Sequence, residues 1–81
     1  MFNVEIISPQ GLIFQGQCLM TVVPSLVGDI GVMQGHEAFL AQLREGKILV
    51  YNEVNEVVQD ISIKTGTAEI HDGERLLVLV D

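Results

Sequence analysis

Apolar residues recur with a period of two along most of this chain, and that period predicts strands. Phe2, Val4 and Ile6 alternate with Asn3 and Glu5 in a first strand. Ser8-Pro9-Gln10-Gly11 reads as a turn, in which proline fixes φ and glycine allows the reversal. A long strand is expected from Leu12 to Val23, with Leu12, Phe14, Cys18, Met20 and Val22 on one face and Gln15, Gln17 and Thr21 on the other. Gly16, in its middle, predicts a bulge or bend. Pro24 and Ser25 end the strand. Glu37 to Leu43 is too short for periodicity to decide: Phe39, Leu40 and Leu43 fit a helix, while Phe39, Ala41 and Leu43 fit a strand. Lys47 to Tyr51 is a strand with Ile48 and Val50 on one face. Asn52 to Glu56 is a polar hairpin connection whose asparagines tolerate turn conformations. Val57 to Lys64 follows, with Val57, Ile61 and Ile63 inward and Asp60, Ser62 and Lys64 outward. Gly66 marks a break, and Thr67 to His71 and Arg75 to Val80 flank Asp72-Gly73, a strong hairpin signal.

These seven to nine short strands, with a turn signal about every eight to twelve residues, predict an all-β antiparallel sandwich or flattened barrel of about 8–10 strands. The last strand is apolar on both faces, with Leu76, Val78 and Val80 on one and Leu77 and Leu79 on the other. It is therefore either covered twice within the domain or packed against another chain or domain. Between Pro24 and the ambiguous segment lies a stretch, Val27 to Glu37, that holds three of the eight glycines beside an acid and a histidine. Ile30 and Val32 allow a short strand inside it. Glycines at 28, 31 and 35 predict a shaped loop, held by the flanking strands and turned toward a partner.

Length and composition narrow the picture. With 81 residues the chain is one domain, residues 1–81, and 48% hydrophobic residues are ample for a core despite a net charge of -7. Four basic residues against eleven acidic ones argue against nucleic acid and against anionic lipid surfaces. Cys18 is the single cysteine, so an internal disulfide is excluded, and an inert buried thiol is expected. The start of the chain has neither a basic n-region nor a long apolar h-region, and no apolar run approaches the roughly 20 residues that span a bilayer. The expectation is a soluble intracellular domain.

Catalytic motifs are not matched. Gly28, Gly31 and Gly35 give G-x-x-G-x-x-x-G, which is neither the dinucleotide fingerprint nor a P-loop, and loop geometry explains the glycines better. His36-Glu37 begins like H-E-x-x-H, but Leu40 stands where the second histidine belongs. His71 reads as a solvated hairpin residue. Ser8, Ser25 and Ser62 lie outside any G-x-S-x-G elbow, and Glu53 with Glu56 lies on a hairpin tip where solvated charge is ordinary. The apolar surplus says more. Phe39, Leu40, Leu43, Leu49, Tyr51, Leu77 and Leu79 either bury both faces of a local layer or leave a face that docks on a partner.

The chain resembles the N-terminal β-sandwich domain of the epsilon subunit of bacterial F-type ATP synthase, called delta in mitochondria. Phe2-Asn3-Val4-Glu5-Ile6-Ile7-Ser8-Pro9 is similar to that family's first strand and turn. Leu12 to Pro24 is similar to its apolar-x-F-x-G strand, and Gly28 to His36 to its G-[DE]-x-G-[apolar]-x-x-G-H loop. Gly66-Thr67-Ala68-Glu69-Ile70 and Arg75 to Asp81 resemble its closing strands. Gln34 stands where proline is common, and Glu37-Ala38-Phe39 replaces the usual Ala-Pro-Leu. Family members usually continue into a helical hairpin that restrains ATP hydrolysis, whereas this sequence stops at Asp81.

The resemblance implies a non-catalytic rotor part without cofactor or metal, at the cytoplasmic face of the bacterial inner membrane and not inserted in it. Its partners would be the gamma subunit, the c-ring and, indirectly, the alpha/beta head. It implies a ring-facing loop of Gly28, Asp29, Gly31, Gly35, His36 and Glu37. A gamma-facing apolar surface is expected from Phe39, Leu40, Leu77 and Leu79. Without the hairpin, coupling without inhibition is expected, and the isolated apolar face could self-associate. The alternative reading is a stand-alone β-sandwich that binds a small ligand. Three Phe, one Tyr and no Trp count against it.

Overall fold

The computed structural model describes residues 1–70 and 72–81. The expectations placed on His71 lie outside the described residues. Nine strands are described: β1 (Phe2–Ser8), β2 (Gly11–Cys18), β3 (Met20–Ser25), β4 (Gly28–Met33), β5 (Phe39–Leu43), β6 (Gly46–Tyr51), β7 (Val57–Ile63), β8 (Gly66–Ile70) and β9 (Arg75–Val80). The all-β reading holds, and the ambiguous segment after Glu37 resolves as strand β5. Asn55 takes φ +63 in the β6–β7 connection, and the Asn52 side chain accepts bonds from the backbone N–H groups of Val54 and Glu56.

The strands form one curled sheet in the order β2-β1-β9-β8-β5-β3-β6-β7, with β4 paired to β3. All pairings are antiparallel except β1 with β9, which runs parallel from Asn3↔Arg75 to Ile7↔Leu79. The β5–β3 junction is a single register pair, Ser25↔Leu43. There the sheet turns, bringing β4-β3-β6-β7 to share one core with β2-β1-β9-β8-β5. Phe2, Val4, Ile6, Ala68, Ile70, Leu76 and Val78 are buried from the latter group, and Val23, Val32, Ile48, Val50 and Ile63 from the former. Fully burying one such branched side chain contributes about 1.5–3 kcal/mol.

Three departures from the expected alternation share one cause, a change of parity. The long strand expected from Leu12 to Val23 breaks at Leu19, whose N–H donates to Tyr51 O at 2.9 Å. Beyond the break the inward set switches, so Thr21 and Val23 are buried while Met20 and Val22 are only half-buried. Thr21, expected on the polar face, is accommodated because its Oγ1 lies 3.3 Å from Cys18 Sγ. Burial raises the Cys18 thiol pKa, as expected of an inert cysteine. The bulge expected at Gly16 falls at Ile13 instead: Ile6 faces Phe14 and Ile7 faces Leu12, so both Leu12 and Ile13 emerge into solvent. Gly16 stays in register opposite Val4, with the Phe14 ring lying against it. A second shift, between Val50 and Tyr51 on β6, leaves Val57 exposed rather than inward.

Gly66 begins β8 under the backbone of β9. A Cβ there would collide with Leu79 O, which cannot swing away as a side-chain end could. Asp81 closes the same corner, its Oδ1 accepting from the N–H groups of Lys64 (3.1 Å) and Thr65 (3.3 Å). Those bonds, Lys64 N–H first, hold the Asp81 pKa below its ordinary value.

Gly66→Ala should lower unfolding stability by about 2 kcal/mol or more in urea titration, against less than about 1 kcal/mol for Gly16→Ala, where only a ring must shift. A group whose folded pKa is depressed contributes stability above its unfolded pKa and loses it as pH falls through the folded value. Asp81→Asn should therefore lower the thermal midpoint at neutral pH and leave it unchanged in strong acid. A constant offset at every pH would contradict this.

Candidate functional site

The glycine-rich stretch expected to be a loop is mostly strand. β4 pairs with β3 along its length, from Met20↔Met33 to Ser25↔Gly28, and leaves Leu26 and Val27 as the turn. The buried Ser25 hydroxyl organises this turn: Oγ donates to Gly28 O and accepts from Val27 N–H at 3.2 Å. Leu26 N–H is held by Gln42 O at 3.0 Å. Gly28, at φ +128, takes a backbone conformation that favours glycine. The result is a stiff tip with two apolar side chains outside, Val27 at 93% exposure.

Gly31 is an ordinary strand residue opposite Val22, beside the Met20 side chain, so it does not share the turn role expected for all three glycines. Asp29 sits opposite Pro24, and its Oδ1 is bound by Arg44 Nη2 at 2.7 Å. Arg44 follows β5. Its N–H donates to Pro24 O (2.8 Å) and its Nη1 to Glu45 O (3.2 Å). Side-chain exposures of 43% for Arg44 and 63% for Asp29 leave the pair in solvent.

Gly35, His36 and Glu37 follow β4. Gly35, at φ +84, donates its N–H to Gly73 O at 2.8 Å. Gly73 is buried against it, and a Cβ on Gly73 would lie 3.1 Å from Gly35 Cα. This backbone contact ties the segment to the β8–β9 hairpin, and the Met1 ammonium adds a bond to Gln34 Oε1 at 2.9 Å. Glu37 is exposed. His36 Nδ1 lies 2.9 Å from Glu37 O. A carbonyl only accepts, so Nδ1 carries the hydrogen and a neutral ring keeps Nε2 as an acceptor. The His36 ring meets Phe39 edge-on, with centroids 5.0 Å apart.

A groove of about 540 Å³ opens between the tip and β5, lined among others by Leu26, Val27, Ile30, His36, Phe39 and Leu40. Asp29 is outside it. The geometry therefore separates two residues expected to act together: His36 belongs to the apolar groove and Asp29 to the charged flank of the tip. The expected apolar surface is also divided. Register aligns Leu40 with Glu69 and Glu69 with Leu77, placing Leu40 and Leu77 on one outer sheet face. Leu79 joins them through Thr67 and Ile7, and Ile7 carries the row to Leu12. Phe39 points the opposite way on β5, toward His36. Leu40 is 71% exposed and Leu79 46%, so the second face of β9 is not covered by the described residues. Leu26, Leu12 and Arg44 were not anticipated. Ser25 and Gly28 bracketing two residues were the available signal for the tip.

Among the described residues no group of three or more His, Cys, Asp or Glu is placed to hold a metal ion. No helix of the described residues is long and apolar enough to cross a membrane.

Fold and surface together define a class: a small β-sandwich that exposes a hairpin tip, an apolar groove and an open sheet face. Residues 1–81 match the sequence profile of the family described as ATP synthase, Delta/Epsilon chain, beta-sandwich domain. The chain belongs to this family. Among its relatives, the ATP synthase epsilon chain of Parvibaculum lavamentivorans is 41% identical over 68 residues, covering 84% of this chain and 51% of that protein. The epsilon chain of Campylobacter fetus is 34% identical over 79 residues, covering 98% and 60%. The chain thus spans about half to three-fifths of the length of these relatives. Among solved structures, a chain of the Euglena gracilis mitochondrial ATP synthase (OSCP/F1/c-ring) shares the fold with a TM-score of 0.88 at 21% identity, covering 98% of this chain and 49% of that one. A chain of the Tetrahymena thermophila mitochondrial ATP synthase central stalk/c-ring gives 0.80 at 14%, covering 98% and 62%.

Gly73→Ala forces a side chain into positive φ and against Gly35. It should cost about 1–3 kcal/mol and loosen the His36 segment. Amide exchange should speed up at Gly35 more than at Val23 in β3. Equal acceleration at both would contradict a local role.

Proposed function

We propose that this domain is a non-catalytic rotor component of an F-type ATP synthase, joining the gamma subunit to the c-ring so that proton transport is coupled to ATP synthesis. The reading rests on family membership over the whole chain. It is supported by the solved neighbours, which come from central-stalk and c-ring assemblies. The observation that carries the mechanism is the separation of two surfaces on one stiff body. The outer sheet face and the β5 side of the groove, with His36, Phe39, Leu40, Leu77 and Leu79, take the gamma subunit. The tip, with Gly28 and Asp29, takes the ring. Gly35 and Glu37 serve the first surface by anchoring and flanking His36. This moves His36 from the ring-facing set to the gamma-facing one.

A sandwich suits the task. Ladder hydrogen bonds and a close-packed core resist shear, so a load applied at the tip reaches the gamma-facing surface without being absorbed in a hinge. Leu40 and Leu77 would gain burial when gamma seats, on either side of Glu69 in the register. As part of such a complex, the domain would sit peripherally at the cytoplasmic face of the bacterial inner membrane.

In the assembled complex, Leu40→Asp with Leu77→Asp should weaken gamma binding by about tenfold or more, since two buried apolar contacts are replaced by charge. Asp29→Ala should leave gamma affinity within about twofold and reduce proton pumping coupled to hydrolysis. Loss of gamma binding in Asp29→Ala, or full retention in the double variant, would contradict the assignment of surfaces.

A further inference from the structure

We infer that Arg44 is the positioning residue of the ring-facing tip, and that the Asp29–Arg44 pair selects an uncharged polar partner group rather than a cation. The inference rests on the proposed ring contact and concerns its chemistry. Asp29 alone would favour a basic partner. It is not alone: Arg44 Nη2 already occupies Oδ1 at 2.7 Å. An exposed ion pair of this kind contributes little to fold stability, so fold stability does not explain the arrangement around it.

That arrangement fixes the arginine at three points. Its N–H is tied to Pro24 O, its Nη1 to Glu45 O, and its Nη2 to Asp29. Gly46 leaves the space beside it open. A Cβ at 46 would sit 2.9 Å from Pro24 Cβ and 3.3 Å from Arg44 Nη1. The guanidinium is therefore laid along the β5–β6 corner, across Pro24, to reach Asp29 on β4.

The pair neutralises itself and keeps unused capacity on both sides. Asp29 Oδ2 remains an acceptor, and the guanidinium has five N–H donors, of which two are used here. A fixed acceptor beside a fixed donor complements a group carrying one donor and one acceptor, as a carboxamide or an exposed peptide unit does. A partner cation would have to displace Arg44 from a charge-assisted bond, and a partner anion would meet Asp29. The apolar neighbours Leu26 and Val27, both exposed, favour the same uncharged surface.

The test measures binding of the full chain, in complex with gamma, to the purified c-ring, for wild type, Arg44→Gln, Arg44→Lys and Asp29→Asn, with thermal midpoints recorded alongside. The expected result is weaker ring binding by about three- to tenfold for Arg44→Gln and for Asp29→Asn, most of it recovered by Arg44→Lys, with midpoints nearly unchanged. Wild-type affinity should vary by less than about twofold between about 50 and about 300 mM salt. Ring affinity at or above wild type in Arg44→Gln, or a tenfold loss with salt in the wild type, would overturn the inference while leaving the ring contact standing. If Asp29→Asn and Arg44→Gln both leave ring binding unchanged, the ring contact itself is refuted and the inference with it.

Discussion

Strand β3 is the constraint on which the rest depends. Along one edge it bonds to β4 over its whole length. Along the other it bonds first to β6, from Met20 to Val22, and then to β5 at Ser25. Buried backbone N–H and C=O groups must be paired, so a central strand of six residues with three partners dictates where each must lie. The switch from β6 to β5 within one strand turns the sheet over its own core. The same switch stops β3 pairing just where Leu26 and Val27 leave the sheet. Core closure and presentation of the tip are consequences of one register.

The proposed function builds on that placement. The tip is anchored by Ser25, Gln42 and Gly28, and the His36 segment by the Gly35–Gly73 backbone contact at the far end of β4. Two stiff features are thus held at opposite ends of one short strand. The apolar face formed by Leu40, Leu77, Leu79 and Leu12 lies on a different group of strands. A body built this way suits the proposed role, since two partners on its surfaces would be joined without a flexible linker.

Much of this was legible in the chain. Alternation named the strands from Phe2 and from Lys47, and Asn52 to Glu56 marked a real turn. The double-sided apolarity of β9 left two readings, cover within the domain or cover by another chain or domain, and the described residues leave Leu79 exposed. Parity was not legible. A break at Leu19 and an unpaired Ile13 carry no composition signal, yet each reverses which side chains point inward, and so Thr21 is in the core and Leu12 is not. The split between Asp29 and His36 was hidden for a related reason. The extended strand β4 carries the chain from Asp29 away to His36, while Arg44, fifteen residues away, arrives beside Asp29 through the β5–β3 corner. The helix–strand ambiguity after Glu37 was settled only by pairing with β8, a long-range contact that no local window contains.

The central claim is that one rigid sandwich carries two separate docking surfaces. Amide exchange of the full chain, alone, with gamma, and with gamma and the c-ring, tests it most directly. The account predicts that gamma slows exchange in the segment around His36 and in strands β5 and β9, leaving Leu26 to Asp29 unchanged. The ring should then slow exchange at Leu26 to Asp29 alone. Two overlapping footprints, or protection of the tip by gamma without the ring, would contradict it.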